Sequence, residues 1–301
     1  MGVIPSNRAA HSTAKIDENE ILMFGGAFVG GTLAKEQLYH LKIENNVGKW
    51  NELETDGPKP GRRYGHTLLF NKPNLILFGG STGSQTINET WILDLMSANF
   101  VWVRIQPDGI IPAPRVYHAA DICRHGGAEG MMIIYGGRDV NNKTCREIWG
   151  LRKHRDGRWD WTKPSNQGSQ ESGEGRYQHI SLYLGSLLIN VGGKINESVC
   201  NSSISIYDYE EPKWYIAQNV VECFRHVCWI DKSFLYIHGG LDTSSKILDY
   251  GKVRKYDLLS LFSHEPNLCE KIKKFVVAQE NPPQMISPLQ KQAKTPPTQK
   301  A

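Results

Sequence analysis

The sequence predicts an all-β protein built from five repeats of a small antiparallel sheet. Glycine pairs recur along the chain at intervals of about 50 residues, the length of one unit in several repeat architectures. Each pair ends a short apolar run, and an Arg and a His precede most pairs at similar distances. The glycine pairs are Gly25-Gly26, Gly79-Gly80, Gly136-Gly137, Gly192-Gly193 and Gly239-Gly240.

The first two strands of each repeat lie before its glycine pair. The second strand is the apolar run itself, because a short apolar run closed by glycine is typical of a strand buried on both faces. The first strand follows a histidine, and these histidines are His11, His66, His118, His179 and His226. In the third repeat the connection between the two strands is longer, and its residues 124–130 have the composition of a turn.

The third and fourth strands follow the glycine pair. The third contains an aromatic or acidic residue, and the fourth contains a tryptophan at Trp50, Trp102, Trp161 and Trp214, but not in the fifth repeat. Four strands in about 50 residues correspond to one blade of a β-propeller. The paired glycines are then structural, because they let neighbouring strands pass closely near the axis. Five blades close such a ring, or the region beyond Gly240 supplies a sixth.

The repeats resemble those of the kelch family. The stretch 148–161, with Gly136-Gly137-Arg138-Asp139 before it and Arg176-Tyr177-Gln178-His179 after it, is similar to the propeller half of kelch-type serine/threonine protein phosphatases. The resemblance covers about residues 5–250 and implies an N-terminal propeller, a linker and a metallophosphatase domain, with six repeats where this chain shows five. The metal-binding motifs of that family (GDxHG, GDxVDRG and GNHE) do not occur in this sequence, so we expect no catalytic residue, metal site or cofactor here.

Three segments are predicted along the chain. Residues 1–262 form the kelch β-propeller. Residues 263–280 form a short amphipathic helix, because the apolar residues Leu268, Ile272, Phe275 and Val276 recur at helical spacing. Residues 281–301 are rich in Pro, Lys and Gln, a composition typical of a disordered linker or tail.

A set of arginines is the first candidate for partner binding. Arg8, Arg63, Arg115 and Arg176 each precede a repeated histidine by three residues, and Arg225 lies beside His226. Fold symmetry brings these positions to one mouth of the propeller, with Tyr64, Tyr117 and Tyr177 beside them. The resemblance to kelch adaptors of ubiquitin ligases implies that such arginines face an acidic peptide, since guanidinium groups bind carboxylate and phosphate. The alternative is that each arginine makes a blade-to-blade hydrogen bond to backbone carbonyls, and the repeated histidines are expected to be structural.

A basic hairpin is the second candidate. Lys153, His154, Arg155 and Arg158 flank Asp156-Gly157, a dipeptide that predicts a tight turn. Binding residues concentrate on loops, so this hairpin is a candidate docking loop. The alternative is a solvated hairpin tip with no partner.

The expected function is that of a non-catalytic protein-interaction module, the substrate-docking and regulatory kelch domain of a serine/threonine phosphatase. Its partner is expected to be an acidic or phosphorylated protein segment, with an attached phosphatase domain as a further partner. A stand-alone scaffold or adaptor is one alternative. A propeller enzyme acting on an anionic small molecule is another, although the S-x-D-x-G-x-x-W box of propeller sialidases does not occur.

Composition bears on partners and location. The net charge of +4 is too small to predict a nucleic-acid partner, and no apolar run approaches the ~18 residues of a membrane helix. The six cysteines form no CxxC motif and the N-terminus has no apolar signal segment, which favours a reduced, cytoplasmic protein, with the nucleus as an alternative. Gly2 and Ser6 fit the loose N-myristoylation pattern, which leaves lipid anchoring as a minor alternative.

Overall fold

The computed structural model describes residues 2–164 and 174–279. These residues fall into two compact units, divided between Gln106 and Pro107. The strands of both units form five antiparallel sheets, in each of which consecutive strands are hydrogen-bonded neighbours. The predicted fold class, an all-β propeller with five recognisable blades, is confirmed.

The first unit contains blades 1 and 2. Blade 1 consists of β1 (Ser12–Asp17), β2 (Glu20–Phe24), β3 (Leu38–Glu44) and β4 (Val47–Leu53). Blade 2 consists of β5 (Thr67–Asn71), β6 (Asn74–Phe78), β7 (Thr90–Asp94) and β8 (Trp102–Ile105). Apolar side chains of both blades form one core, in which Phe24 and Trp102 are almost fully buried. The predicted tryptophan of the fourth strand therefore serves as a core residue of this unit.

The second unit contains blades 3, 4 and 5. Blade 3 consists of β9 (Ala119–Ile122), β10 (Met132–Tyr135), β11 (Ile148–Lys153) and β12 (Trp159–Thr162). Blade 4 consists of β13 (Ile180–Leu184), β14 (Leu187–Val191), β15 (Ile204–Asp208) and β16 (Lys213–Ala217). Blade 5 has three strands among the described residues, β17 (Val227–Asp231), β18 (Phe234–His238) and β19 (Val253–Asp257). In the described part of the chain, the region beyond Gly240 thus supplies the third strand of blade 5 rather than a sixth blade.

The glycine pairs end the second strand of every blade. In each pair both residues have positive φ, for example 68° at Gly25 and 96° at Gly26. A Cβ on Gly25 would lie 2.6 Å from the carbonyl oxygen of Arg63 in the next blade, which no side chain tolerates. The backbone N–H of Gly26 instead donates to that carbonyl at 2.8 Å. Glycine is needed here for both its conformation and its lack of a side chain.

Two helices follow blade 5. The first, α1 (Leu258–Leu261), begins at Asp257, whose side chain accepts a hydrogen bond from the Leu259 N–H. The second, α2 (Pro266–Gln279), lies within the predicted segment 263–280. Its residues Leu268, Ile272 and Phe275 are buried in a core that also contains side chains of blades 4 and 5. The tail predicted for residues 281–301 lies outside the described residues.

No helix in the described ranges is both long and apolar enough to cross a bilayer.

Candidate functional site

The repeated arginines are largely internal. Arg63, Arg115 and Arg176 are each 1% exposed. The Nη1 of each donates to the carbonyl oxygen of the first paired glycine of its own blade: Arg63 to Gly79 at 3.2 Å, Arg115 to Gly136 at 2.9 Å and Arg176 to Gly192 at 3.1 Å. These bonds join the start of the first strand to the end of the second within one blade, whereas the structural alternative predicted from sequence was a bond between blades.

The same arginines have further internal partners. Arg63 pairs with Glu89 at 2.9 Å, and Arg176 donates through Nη2 to the Ser203 hydroxyl at 2.8 Å. Arg8 also bonds its own glycine carbonyl, at Gly25, but is only partly buried. Its guanidinium lies 5.1 Å from the centre of the Tyr39 ring. Partner binding by these arginines stays a prediction, and three of the guanidinium groups are enclosed by their own blades.

The residue before each repeated histidine adopts a left-handed conformation. Its φ is 54° at Ala10, 63° at Gly65, 59° at Tyr117, 56° at Gln178 and 55° at Arg225. In the first unit the Gly65 N–H donates to the Ala10 carbonyl at 2.8 Å. In the second, Gln178 donates to Tyr117 at 2.9 Å and Arg225 to Gln178 at 3.0 Å. These residues therefore link consecutive blades within each unit, at a position where the backbone itself favours glycine.

In the second unit, cations lie over aromatic rings close to these left-handed residues. The guanidinium of Arg138 lies 5.3 Å from the centre of the Tyr177 ring, and the Lys194 ammonium lies 4.8 Å from the Phe224 ring. Arg225 lies 5.9 Å from the same Phe224 ring. Each aromatic face attracts its cation, and the interaction free energy is ~0.5–1 kcal/mol at a solvent-exposed site.

Gln178 completes this group. With its amide oxygen turned toward Arg225, that oxygen accepts hydrogen bonds from Nη2 at 3.0 Å and Nε at 3.1 Å. We call the group the rim cluster, and its members are Arg138, Tyr177, Gln178, Lys194, Phe224 and Arg225. One carboxylate lies against it, since Glu197 contacts Arg138 at 2.5 Å and its carbonyl accepts a hydrogen bond from Lys194. The Glu197 side chain is 76% exposed, so this ion pair contributes little to stability.

Sequence reasoning found Tyr177 and Arg225 but missed Arg138 and Lys194. Both follow directly after a glycine pair, where the other blades carry Ala27, Ser81 and Leu241. Backbone bridges pair this position with the residue after the repeated arginine, as in Tyr177 with Lys194 and Val116 with Arg138. Because of these bridges, the residue after each glycine pair lies beside the start of the first strand. Inspecting that position in every blade would have found the two cations. Tyr64 and Tyr117 are partly buried, at the equivalent starts of blades 2 and 3.

The basic hairpin lies at the opposite end of blade 3. It joins β11 to β12, whereas the rim cluster involves the start of first strands and the end of second strands. His154 pairs with Asp160 at 2.9 Å, and Arg158 pairs with Asp156 at 2.8 Å and Asp108 at 3.1 Å. Neighbouring carboxylates therefore offset much of its charge. Arg155 is exposed at the tip. Docking by Lys153, His154, Arg155 and Arg158 stays a prediction.

The repeated histidines are mostly buried among aromatic side chains. The rings of Phe24 and His66 meet edge to face at 5.7 Å, and those of Tyr135 and His179 do so at 5.5 Å. Burial lowers the pKa of His66 to about 3 and that of His226 to about 4, and nearby arginines act in the same direction. The pKa of His179 also lies well below its usual value, because of burial and the charge of Arg176. These rings are neutral at physiological pH.

Beside the β10–β11 connection is a cavity of about 640 Å³. Its lining includes Arg115, Lys143, Arg146, Glu147 and Trp214. Charges of both signs surround it, and no group of three His, Cys, Asp or Glu side chains in residues 2–164 and 174–279 could hold a metal ion.

Repeated four-stranded blades joined near glycine pairs define a β-propeller domain, and comparison with known proteins specifies which kind. The family profile described as "KLHDC2/KLHL20/DRC7 Kelch-repeats domain" matches residues 1–128 and 101–268. The chain therefore belongs to the kelch-repeat family, whose propellers are in general non-catalytic protein-interaction domains.

Several curated proteins are similar to this chain. It is 30% identical over 224 residues to serine/threonine-protein phosphatase BSL2 of Arabidopsis thaliana, an alignment covering 73% of this chain and 21% of the phosphatase. It is 30% identical over 156 residues to the F-box/kelch-repeat protein At1g51550 of the same organism, covering 49% of this chain and 32% of that protein. Alignment with the Arabidopsis acyl-CoA-binding domain-containing protein 4 gives 27% identity, covering 70% and 29% of the two chains. The chain thus spans a third or less of the length of these relatives.

Among solved structures, one titled "Structure of YjhT" has a TM-score of 0.61 at 16% identity, covering 78% of this chain and 73% of that one. At this identity the likeness shows the fold alone.

Proposed function

We propose that this chain is a docking module that binds an acidic or phosphorylated segment of a partner protein at the rim cluster. The observation that carries the proposal is the set of cations held over aromatic rings: Arg138 over Tyr177, and Lys194 and Arg225 over Phe224. Held in this way, the guanidinium groups lose less freedom when they bind carboxylate or phosphate oxygens in two-point geometry.

The residue types found at the left-handed position support the rim cluster as the binding site. Gly65 shows that glycine satisfies the backbone there, yet Tyr117, Gln178 and Arg225 carry large side chains at φ of 55–59°. A left-handed conformation costs a residue with a side chain roughly 1–2 kcal/mol. Strain of this kind persists where the side chain is needed, and functional sites are the usual place.

Glu197 supports an anionic partner as well. Its exposed carboxylate already lies against Arg138, in the place that an incoming carboxylate or phosphate would take. Because the Glu197 side chain is largely exposed, displacing it into water costs little. An acidic segment of the partner would then take the place of the Glu197 carboxylate with a carboxylate or phosphate of its own.

A finer role is proposed from the relatives. Similarity to a serine/threonine-protein phosphatase supports the view that this propeller brings phosphoprotein substrates to an attached phosphatase domain. The F-box/kelch relative favours the alternative of a separate adaptor. We place either function in the cytoplasm, where thiols such as Cys123 and Cys269 stay reduced, as they are here.

The docking proposal is tested with an array of short peptides. Peptides containing Asp, Glu or phosphoserine are compared with matched peptides containing Lys or Ser, and retained peptides are titrated by fluorescence anisotropy. The triple variant Arg138→Ala, Lys194→Ala, Arg225→Ala should weaken binding at least about tenfold, since each charge-assisted hydrogen bond contributes ~1.5–3 kcal/mol. Arg124→Ala, an exposed cation outside the rim cluster, is the matched control. Equal binding by the triple variant and the control would refute the rim cluster as the site.

The phosphatase role is tested on the native protein. An antibody to the propeller should recover a species much heavier than these 301 residues, with peptides that carry metallophosphatase motifs. If the native protein is no heavier than these 301 residues, the result favours the alternative of a separate adaptor.

A further inference from the structure

The hydroxyl of Tyr177 is buried within the rim cluster. The residue is 3% exposed, and its hydroxyl oxygen has no hydrogen-bond partner among the described residues. The ring takes part in the cluster through its face, over which the Arg138 guanidinium lies. A buried polar group without a partner lowers the stability of the folded state. The hydroxyl at this position therefore needs an explanation that the ring does not provide.

Blade 5 shows that the aromatic ring serves without a hydroxyl. Phe224 occupies the equivalent place, because it bridges to Leu241 as Tyr177 bridges to Lys194. The Lys194 ammonium lies 4.8 Å from the centre of the Phe224 ring, much as Arg138 lies 5.3 Å from that of Tyr177. Phenylalanine thus also supports a cation at this position. What Tyr177 adds is an O–H group that can donate a hydrogen bond.

The Tyr177 phenol lies among charges of both signs. Burial raises the pKa of Tyr177, and the Glu197 carboxylate raises it further, whereas the charges of Arg138 and Arg225 lower it. Because the pKa lies above the ordinary tyrosine value of about 10, the hydroxyl is protonated at physiological pH. It is therefore available as a hydrogen-bond donor beside the cations of the cluster.

Other donors of the rim cluster also remain unused. The Nε–H of Arg138 is buried and has no acceptor in residues 2–164 and 174–279. The Lys194 ammonium has three N–H groups, one of which donates to the Glu197 carbonyl, and this lysine is 7% exposed. A carboxylate offers two oxygens, whereas a phosphoryl group offers three strong acceptors. Donors from three side chains, counting Tyr177, suit the phosphoryl group better.

The charge of the rim cluster favours the same ligand. Its cations are Arg138, Lys194 and Arg225, and the carboxylate in contact with Arg138 is that of Glu197, which leaves two net positive charges. The Asp139 carboxylate instead accepts hydrogen bonds from backbone N–H groups of its own loop. A phosphorylated side chain carries about −1.5 to −2 at pH 7 and so balances this charge. An Asp or Glu side chain, with a single charge, balances half of it.

We propose that the rim cluster binds a phosphorylated side chain in preference to Asp or Glu, and that Tyr177 determines this preference. The Tyr177 hydroxyl and the Arg138 Nε–H donate to the phosphate oxygens, while Arg138, Lys194 and Arg225 supply the opposite charge. Binding thus gives the buried hydroxyl its partner. The inference rests on the docking function proposed above and narrows its ligand from an acidic or phosphorylated segment to a phosphorylated one.

The test uses one retained peptide in three versions, with phosphoserine, glutamate or serine at a single position. Anisotropy titration of the full chain should show the phosphoserine version binding at least about tenfold more tightly than the glutamate version, and the serine version binding most weakly. In Tyr177→Phe, the affinity for the phosphoserine version should fall about tenfold, because one charge-assisted hydrogen bond is lost. The affinity of this variant for the glutamate version should change less than about twofold.

Tyr207→Phe is the matched control. Tyr207 also lies in blade 4, is 2% exposed and has a hydroxyl without a partner in the described part of the chain. Its pKa is raised by burial and by the Asp208 carboxylate, so it lies beside an anion rather than the cations of the rim cluster. Both substitutions remove a buried, unpartnered hydroxyl, so both variants should be at least as stable as the wild type to urea. Only Tyr177→Phe should change the preference for phosphoserine.

The outcomes separate this inference from the docking function. Equal affinity of the wild type for the phosphoserine and glutamate versions overturns the inference, and so does an unchanged preference in Tyr177→Phe. The docking function still stands in either case if the triple variant of Arg138, Lys194 and Arg225 loses affinity for the peptides. A triple variant that binds every version as the wild type does overturns both proposals together.

Discussion

Two groups of arginines in this protein have opposite environments, one buried and one near the surface. Arg63, Arg115 and Arg176 recur at the same place in successive blades, are 1% exposed and donate to glycine carbonyls of their own blades. At the place of Arg138 the other blades carry Ala, Ser, Lys and Leu, and at the place of Arg225 they carry Ala, Gly, Tyr and Gln. Both arginines are held over aromatic rings near the surface. Positions that repeat maintain the blade, whereas Arg138 and Arg225, at positions that vary between blades, stay partly or largely exposed.

The largest effect that separates the two groups is on stability. Arg176→Ala removes the donor to the Gly192 carbonyl and to the Ser203 hydroxyl, and one of the two donors to the Ser203 carbonyl, inside a closed core. We expect a loss of about 3 kcal/mol or more in the free energy of unfolding, the usual cost of leaving several buried groups unsatisfied. Arg138→Ala, at a partly exposed ion pair, should cost about 0.5 kcal/mol or less. Urea denaturation of both variants measures the difference, and equal losses would mean that the two groups do not differ in kind.

The next effect concerns the buried histidines. The folded pKa of His66 is about 3 and that of His226 about 4, below the ordinary value of about 6.5 that applies in the unfolded chain. Between these values the unfolded state binds more protons, so stability is complete above pH 6.5 and falls as the pH drops toward 4. Each of these two histidines should cost about 2 kcal/mol at pH 5. Unfolding free energies at pH 7 and pH 5 test this, and equal values at the two pHs would contradict neutral, buried rings.

A smaller effect is expected on the affinity for the acidic peptide when a single cation of the rim cluster is removed. Arg225→Ala alone should weaken binding of the acidic peptide several-fold to tenfold, because one charge-assisted contact is lost. Arg155→Ala, at the tip of the basic hairpin, should leave that affinity unchanged. Anisotropy titration compares the two variants directly. The opposite result would move the binding site to the hairpin of Lys153, His154, Arg155 and Arg158.

The smallest effect tests the strain at the left-handed position. Arg225→Gly should be more stable than Arg225→Ala by about 1 kcal/mol, since only the alanine variant keeps the cost of positive φ. Both variants lack the guanidinium, so both should lose the same affinity for the peptide. If alanine and glycine are equally stable, then the conformation is unstrained and its large side chains need no functional explanation.

Much of the fold follows from the sequence because its causes repeat. Each glycine pair is required by a positive φ and a close backbone approach, so the same signal appears in every blade. The fifth repeat, which lacks the tryptophan of the fourth strand, likewise corresponds to the blade with three strands among the described residues. Helix α2 follows from the spacing of Leu268, Ile272 and Phe275, which are buried as an apolar stripe.

The site was less accessible to sequence reasoning. Repetition drew attention to Arg63, Arg115 and Arg176, yet repetition is what a structural role produces. Arg138 and Lys194 carry no repeated signal, because the position after the glycine pair differs in each blade. Within a blade the backbone bridges pair Arg138 with Val116 and Lys194 with Tyr177. Each cation lies over an aromatic ring of the next blade, Arg138 over Tyr177 and Lys194 over Phe224, and this contact between blades leaves no signal in the sequence.

The most direct test of the central claim is hydrogen exchange with and without the retained acidic peptide, read by mass spectrometry. The peptide should protect backbone amides around Arg138, Gln178, Lys194 and Arg225, the positions that vary between blades. It should leave the hairpin at 153–158 unchanged. Protection confined to that hairpin, or absent from the rim cluster, would contradict the claim that the varying positions form the binding surface.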